Sequence, residues 1–144
     1  GNNCNIHSGT IIGVDGFGFE ENEKGEYEPM EHIGGVDIGN NVIIYANVSI
    51  ARGSLSYTKI LDGVYINNNA HLAHNVVINK DVVIAANAAI CGSAHIGRKA
   101  WIGPGAIVRG GVYVGENSTL GMGAVLTRDL PEGQVWIGNP AKEK

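Results

Sequence analysis

Two cysteines, Cys4 and Cys91, are too few to build a disulfide framework, so a reducing, cytoplasmic setting is expected. Aromatic residues make up only 6% of the chain and charged residues 17%, while a hydrophobic share of 44% argues against disorder. No apolar run approaches the ~18 residues that a membrane span requires. The opening GNNCNIHSG has neither the basic nor the apolar region of a secretory signal, and it has no initiator Met, as a fragment or processed chain would. The net charge of −4 disfavours nucleic acid as a main partner. A length of 144 residues suits one domain of ordinary size.

Charge and glycine are placed unevenly. Residues 1–79 hold nine acids and three bases, whereas residues 80–144 hold five acids and seven bases. Such a basic C-terminal half suits a phosphorylated ligand, and it equally suits ordinary solvated surface. Glycine is abundant at 22 residues, and its positions follow a repeat.

Aliphatic residues recur every six positions from Ile60 through Ile66, Leu72, Ile78, Ile84, Ile90, Ile96, Ile102, Val108 and Val114 to Leu120. Ile38, Ile44 and Ile50 continue the series upstream, and an isolated repeat starts at Ile6. Four residues after each of the fourteen positions from Ile38 to Leu120 stands Val, Ala or Ser. Three residues after each, twelve of the fourteen are Gly, Asn or Asp, which tolerate positive φ at a tight corner. This period is not helical. It predicts short strands joined by corners, with the first and fifth positions inward. Three strands and three corners form an 18-residue coil, and stacked coils about 4.8 Å apart form an all-β parallel β-helix. Residues 1–126 are expected to be this β-helix, interrupted by a projecting loop at 13–37 and an insertion at 56–59, with 127–144 as a C-terminal cap segment. A loop as long as 13–37 is usually functional or mobile.

His71-Leu72-Ala73-His74-Asn75 is the most informative short segment. Leu72 is a grid residue and faces inward, so His71 stands on an outer strand face and His74 points out at a corner. An imidazole, with an unperturbed pKa near ~6.5, suits general-base work. Spacing alone favours His74 as a polar corner residue. The 18-residue coil stacks His74, Gly92, Gly110 and Arg128 in one corner column, beside Asn75, Ser93, Gly111 and Asp129. Two bare glycines beneath the imidazole leave room for a thin linear ligand, and the Gly92 N–H is placed to meet a developing oxyanion. The Asp15-Gly16-Phe17-Gly18-Phe19 segment is not a dinucleotide loop, because no βαβ unit surrounds it.

The repeat and the His71–Asn75 segment resemble the hexapeptide-repeat acyltransferases, nearest to the UDP-3-O-acylglucosamine N-acyltransferases of lipid A biosynthesis. Asp15–Phe19 and Arg52-Gly53 also look like that family's motifs. The resemblance implies a left-handed β-helix, a homotrimer with sites between subunits, and a nucleotide-linked amino sugar as acceptor. It implies His74 as catalytic base, Asn75 as its orienting partner and Gly92 as oxyanion donor. Phe17, Phe19, Arg52 and His71 are expected at the substrate. Gly138-Asn139-Pro140-Ala141-Lys142 is similar to the ending of acetyl-CoA-dependent sugar acetyltransferases. Ser93, Gly110, Arg128, Asn139, Pro140 and Lys142 are therefore expected at the cofactor. From His74 to Arg128 is about 14 Å, the reach of a phosphopantetheine arm. Gly111 stands where the resemblance would put a second His, and the GNPAK motif is expected in place of the helical domain with which those N-acyltransferases end. Acetyl-CoA is accordingly the expected donor, with an acyl carrier protein thioester as the alternative. No metal is expected, since His71 and His95 fall on different faces and His74 at another point of the repeat. A non-catalytic trimeric scaffold is the remaining alternative, although no Thr-x-Thr ladder supports an ice-binding face.

Overall fold

The computed structural model describes residues 1–144. It contains 21 strands and no helix, and it winds as a left-handed parallel β-helix of about six turns. Sheets of eight, six and five strands form three faces, and a two-stranded antiparallel sheet stands apart. The register advances by one coil per rung: His71 and Leu72 pair with Ala89 and Ile90, which pair with Ile107 and Val108. The only antiparallel pairing on the three faces closes the C-terminus, between Trp136–Ile137 and Lys142–Glu143.

The six-residue grid is the core. Ile44, Ile50, Ile60, Ile66, Leu72, Ile78, Ile84, Ile90, Ile96 and Ile102 are fully buried, and small residues such as Ala88, Ala94, Ala100 and Ala106 fill the space between them. Each buried large aliphatic contributes about 1.5–3 kcal/mol, so the stack is stabilised rung by rung. At the corners, thirteen of the fourteen expected positions have positive φ. Ser93 at 60° and Lys99 at 57° adopt it without being Gly, Asn or Asp, so the coil closure outweighs residue preference there. Gly53 departs from the expectation and has no positive φ. Its carbonyl instead accepts the Gly34 N–H at 3.0 Å, and its N–H donates to Gly35 at 3.1 Å.

Both irregular stretches are more ordered than their sequence suggests. Ile11–Val14 still pairs with Ser49–Ala51, with a register slip between Ile12 and Val14. Phe19–Glu21 and Tyr27–Pro29 then form the antiparallel hairpin, and Gly35–Ile38 rejoins the prism beside Tyr57–Ile60. Tyr57–Lys59, expected within an insertion, thereby lengthen a strand. At the other end, Leu130, Trp136 and Ala141 are buried against the last coils. No helix is long and apolar enough to cross a membrane.

Candidate active site

His74 sits on the corner between the strands His71–Leu72 and Val77–Ile78. Its neighbour Asn75 takes φ of 60°, which turns the chain and frees the amide side chain to face the loop. Asn75 Oδ1 accepts the Ser54 backbone N–H at 3.0 Å and the Ser54 hydroxyl at 3.0 Å. Asn75 Nδ2 donates to Ser56 Oγ at 2.9 Å, and the Asn75 backbone N–H donates to the buried Thr58 Oγ1 at 2.9 Å. A backbone N–H can only donate, so the Ser54 contact fixes which end of the amide is oxygen. His74 Nδ1 lies 3.1 Å from that same Oδ1 and must therefore be the N–H. The network assigns the tautomer of the neutral ring, in which Nε2 carries the lone pair.

The His74 ring lies over Gly92. A Cβ built on Gly92 would come 2.6 Å from His74 Nε2 and 2.7 Å from Cε1, so only glycine leaves the ring in place. The Gly92 N–H has no acceptor within the protein, while the Gly92 carbonyl accepts the Gly111 N–H at 3.0 Å. Gly110 follows on the next rung; a Cβ there would stand 3.0 Å from the Gly92 carbonyl oxygen. Ser93 donates its N–H to the His74 carbonyl at 2.9 Å. Farther along, the Arg128 guanidinium stacks over the Trp136 ring, 5.1 Å from its centroid.

A cleft of about 230 Å³ joins His74, Gly92, His71, Cys91, Asp15 and Phe17. A larger cavity of about 560 Å³ lies on another face among Tyr45, Tyr65, Trp101 and Pro104. It holds no imidazole, thiol or carboxylate, so the smaller cleft is the chemical candidate. Within that cleft, partial desolvation lowers the His71 pKa and favours its neutral form. Phe17 also borders a second cavity of about 300 Å³ with Phe19 and Tyr27, and Phe17 meets Phe19 edge-on at 4.9 Å.

The other expected site residues stand elsewhere. Arg52 holds the root of the loop: its Nε donates to the Gly13 carbonyl at 2.8 Å and lies 3.6 Å from Asp15. Asn139, Pro140 and Lys142 border neither the His74 cleft nor the other two cavities. They form the turn and strand that cap the last coil, where Val125 donates to the Gly138 carbonyl and Ala141 to that of Val125. No group of three or more His, Cys, Asp and Glu side chains converges as a metal site.

Sequence reasoning missed Ser54, Ser56, Thr58 and His32. Thr58 was findable: it takes the small inward position before Ile60, where a hydroxyl needs a partner. His32 lies off the grid and gave no such signal. It is 4% exposed, and its ring meets the His74 ring edge-on at 5.4 Å.

The chain is similar to known proteins over this whole region. The family model for bacterial transferase hexapeptide (six repeats) matches residues 57–92 and 93–128, and that for the hexapeptide repeat of succinyl-transferase matches residues 31–52. A UDP-3-O-acylglucosamine N-acyltransferase of Maricaulis maris is 50% identical over 142 residues, 99% of this chain and 41% of the relative. The chain therefore spans less than half the length of that relative. The acetyltransferase domain of PglB from Neisseria gonorrhoeae, solved with acetyl coenzyme A, superposes with a TM-score of 0.71 at 33% identity, covering 76% of this chain and 51% of that one. PerB from Caulobacter crescentus, solved with CoA and GDP-perosamine, superposes with a TM-score of 0.74 at 26% identity, covering 97% and 58%.

Proposed function

The chain belongs to the bacterial transferase hexapeptide family, and from that premise we propose that it is the catalytic β-helix of an acyltransferase that moves an acetyl group from acetyl-CoA to the amine of a nucleotide-linked amino sugar. One observation carries the reading: the His74 ring, its Nδ1 held on Asn75, lies against Gly92, whose N–H has no acceptor in the protein. A base and an oxyanion donor on one corner are what thioester aminolysis needs.

In the proposed reaction the acceptor nitrogen attacks the thioester carbonyl while His74 Nε2 takes its proton. The Gly92 N–H holds the oxyanion of the tetrahedral intermediate. Collapse breaks the C–S bond, and the CoA thiolate leaves with the proton returned from the His74 imidazolium. No acyl-enzyme is required, because the thioester is already activated. Asn75 stabilises the imidazolium through Nδ1–H. Phe17, Phe19 and His71 border the acceptor side. Gly110 leaves a path for the pantetheine arm, and Ser93 lines it. Arg128, Asn139, Pro140 and Lys142 at the C-terminal end hold the nucleotide of CoA, with Arg128 and Lys142 as charge-assisted donors to its phosphates. The working unit is a cytoplasmic homotrimer with sites between subunits.

The choice of acetyl-CoA draws support from the GNPAK ending and from likeness to the PglB domain solved with acetyl coenzyme A. The high identity to an N-acyltransferase of UDP-3-O-acylglucosamine favours a second reading, in which a hydroxyacyl group arrives on acyl carrier protein. Thiol release from acetyl-CoA, measured with UDP-3-O-acylglucosamine and GDP-perosamine and without carrier protein, separates them. Turnover is expected with acetyl-CoA alone, and His74→Ala is expected to lower it about 10²–10⁴-fold with the fold retained. Turnover only with hydroxyacyl carrier protein would select the second reading, and undiminished turnover in His74→Ala would remove the proposed base.

A further inference from the structure

His32 is held in one tautomer and one place. Its Nδ1 lies 2.8 Å from the Met30 carbonyl; a carbonyl only accepts, so Nδ1 carries a proton and, in the neutral ring, Nε2 is the acceptor. That Nε2 is buried and has no hydrogen-bond partner. Buried nitrogens without partners are rare in folded proteins and call for an explanation.

The explanation lies across the ring. A Cβ on Gly16 would clash with His32 Nε2 and stand 3.0 Å from His74 Cβ, and one on Gly18 would stand 3.2 Å from His32 Cε1. The two glycines of the Asp15–Phe19 segment thus straddle the His32 ring, one of them wedged between His32 and His74. This spacing turns Phe17 outward, where it is 87% exposed beside the cleft. The backbone N–H groups of Gly16, Phe17 and Gly18 have no acceptor in the protein. An unused acceptor therefore lies beside a run of unused donors.

We propose that His32 is a positioning residue: its ring seats the Gly16–Gly18 segment beside His74, and its Nε2 is the acceptor onto which a backbone N–H of that segment closes when the amino-sugar nucleotide meets Phe17 and Phe19. The inference rests on the acceptor class proposed above. It assigns the glycine spacing of Asp15–Phe19 to packing on an imidazole and links acceptor binding to the base through one buried ring.

Two substitutions separate the halves of the ring. His32→Asn keeps a donor for Met30 and removes the Nε2 acceptor; His32→Gln places an oxygen near Nε2 and removes that donor. Amide hydrogen exchange at Gly16, Phe17 and Gly18 is measured with and without UDP-3-O-acylglucosamine or GDP-perosamine. Nucleotide sugar is expected to slow exchange about tenfold or more in the wild type and His32→Gln, and to leave His32→Asn unchanged. The KM for the acceptor should rise roughly tenfold in His32→Asn and recover in His32→Gln, with the KM for acetyl-CoA unaltered. Equal protection in His32→Asn, or lost protection in both variants, overturns the role of His32 and leaves the acyltransferase reading standing. Binding of neither nucleotide sugar overturns both.

Discussion

The coils from Ile60 to Leu126 and the stretch from Gly13 to Lys59 are built on different rules. In the coils each rung repeats the one before: a buried aliphatic, a small inward residue and a left-handed corner. In the earlier stretch the repeat breaks twice: polar side chains from the second break gather on a single corner of the coils, at Asn75, and the first break brings the His32 ring against His74 on the same corner. Repetition gives a rigid post of known pitch. Its interruption supplies the groups that distinguish one corner from the other thirteen. His74 lies where the two meet, so its position belongs to the scaffold and its tautomer to the Asn75 amide that the irregular stretch orients.

Stability should follow the first region and substrate handling the second. Ile90→Ala removes a fully buried side chain stacked between Leu72 and Val108. It is expected to cost about 2–5 kcal/mol in denaturant unfolding. Phe17→Ala, at a side chain that is nearly all solvent-exposed, should stay within about 0.5 kcal/mol of wild type. A comparable loss from the two would erase the distinction. The next test exchanges one corner for another. Asn75 and Asn87 share the same backbone, with φ of 60° and 59°. Asn75 makes four side-chain hydrogen bonds with the irregular stretch and His74, whereas no side-chain hydrogen bond involves Asn87. Glycine keeps the turn at both. Asn75→Gly should lower turnover about 10–100-fold by releasing the His74 tautomer, and Asn87→Gly should leave turnover unchanged and cost about 1 kcal/mol or less.

The same division decides what could be read without coordinates. The six-residue period is a local steric demand, so inward positions, coil length and the stacking of His74, Gly92 and Gly110 were all legible. Corner residues were legible too, because Asn and Gly pay least for positive φ. Ser93 and Lys99 show the limit: once neighbouring rungs fix the turn, an unfavoured residue adopts it. Gly53 shows the converse, since a permissive residue does not turn where the following strand is lengthened. The return of Asp15–Gly18 across His74 was not legible. It depends on packing against His32, which follows no period and is joined to the corner only through space. Nor did the sequence connect Ser54, Ser56 and Thr58 to Asn75, because hydroxyls give no register of their own.

The smallest expected effect concerns His71, on the scaffold side of the cleft. Desolvation lowers its folded pKa below the usual 6.5, so between the two values the unfolded chain binds more protons than the folded one. Stability then rises with pH in that window. The contribution is fully present above the unfolded value and is lost as pH falls through the folded one. Chemical unfolding midpoints measured from pH 7.5 downward should therefore decline below pH 6.5, and His71→Gln should flatten that part of the decline. The ring is only partly withdrawn from solvent, so the change is small. A decline of the same depth in His71→Gln would assign it to other groups, and would leave the cleft's environment at His71 no different from open surface.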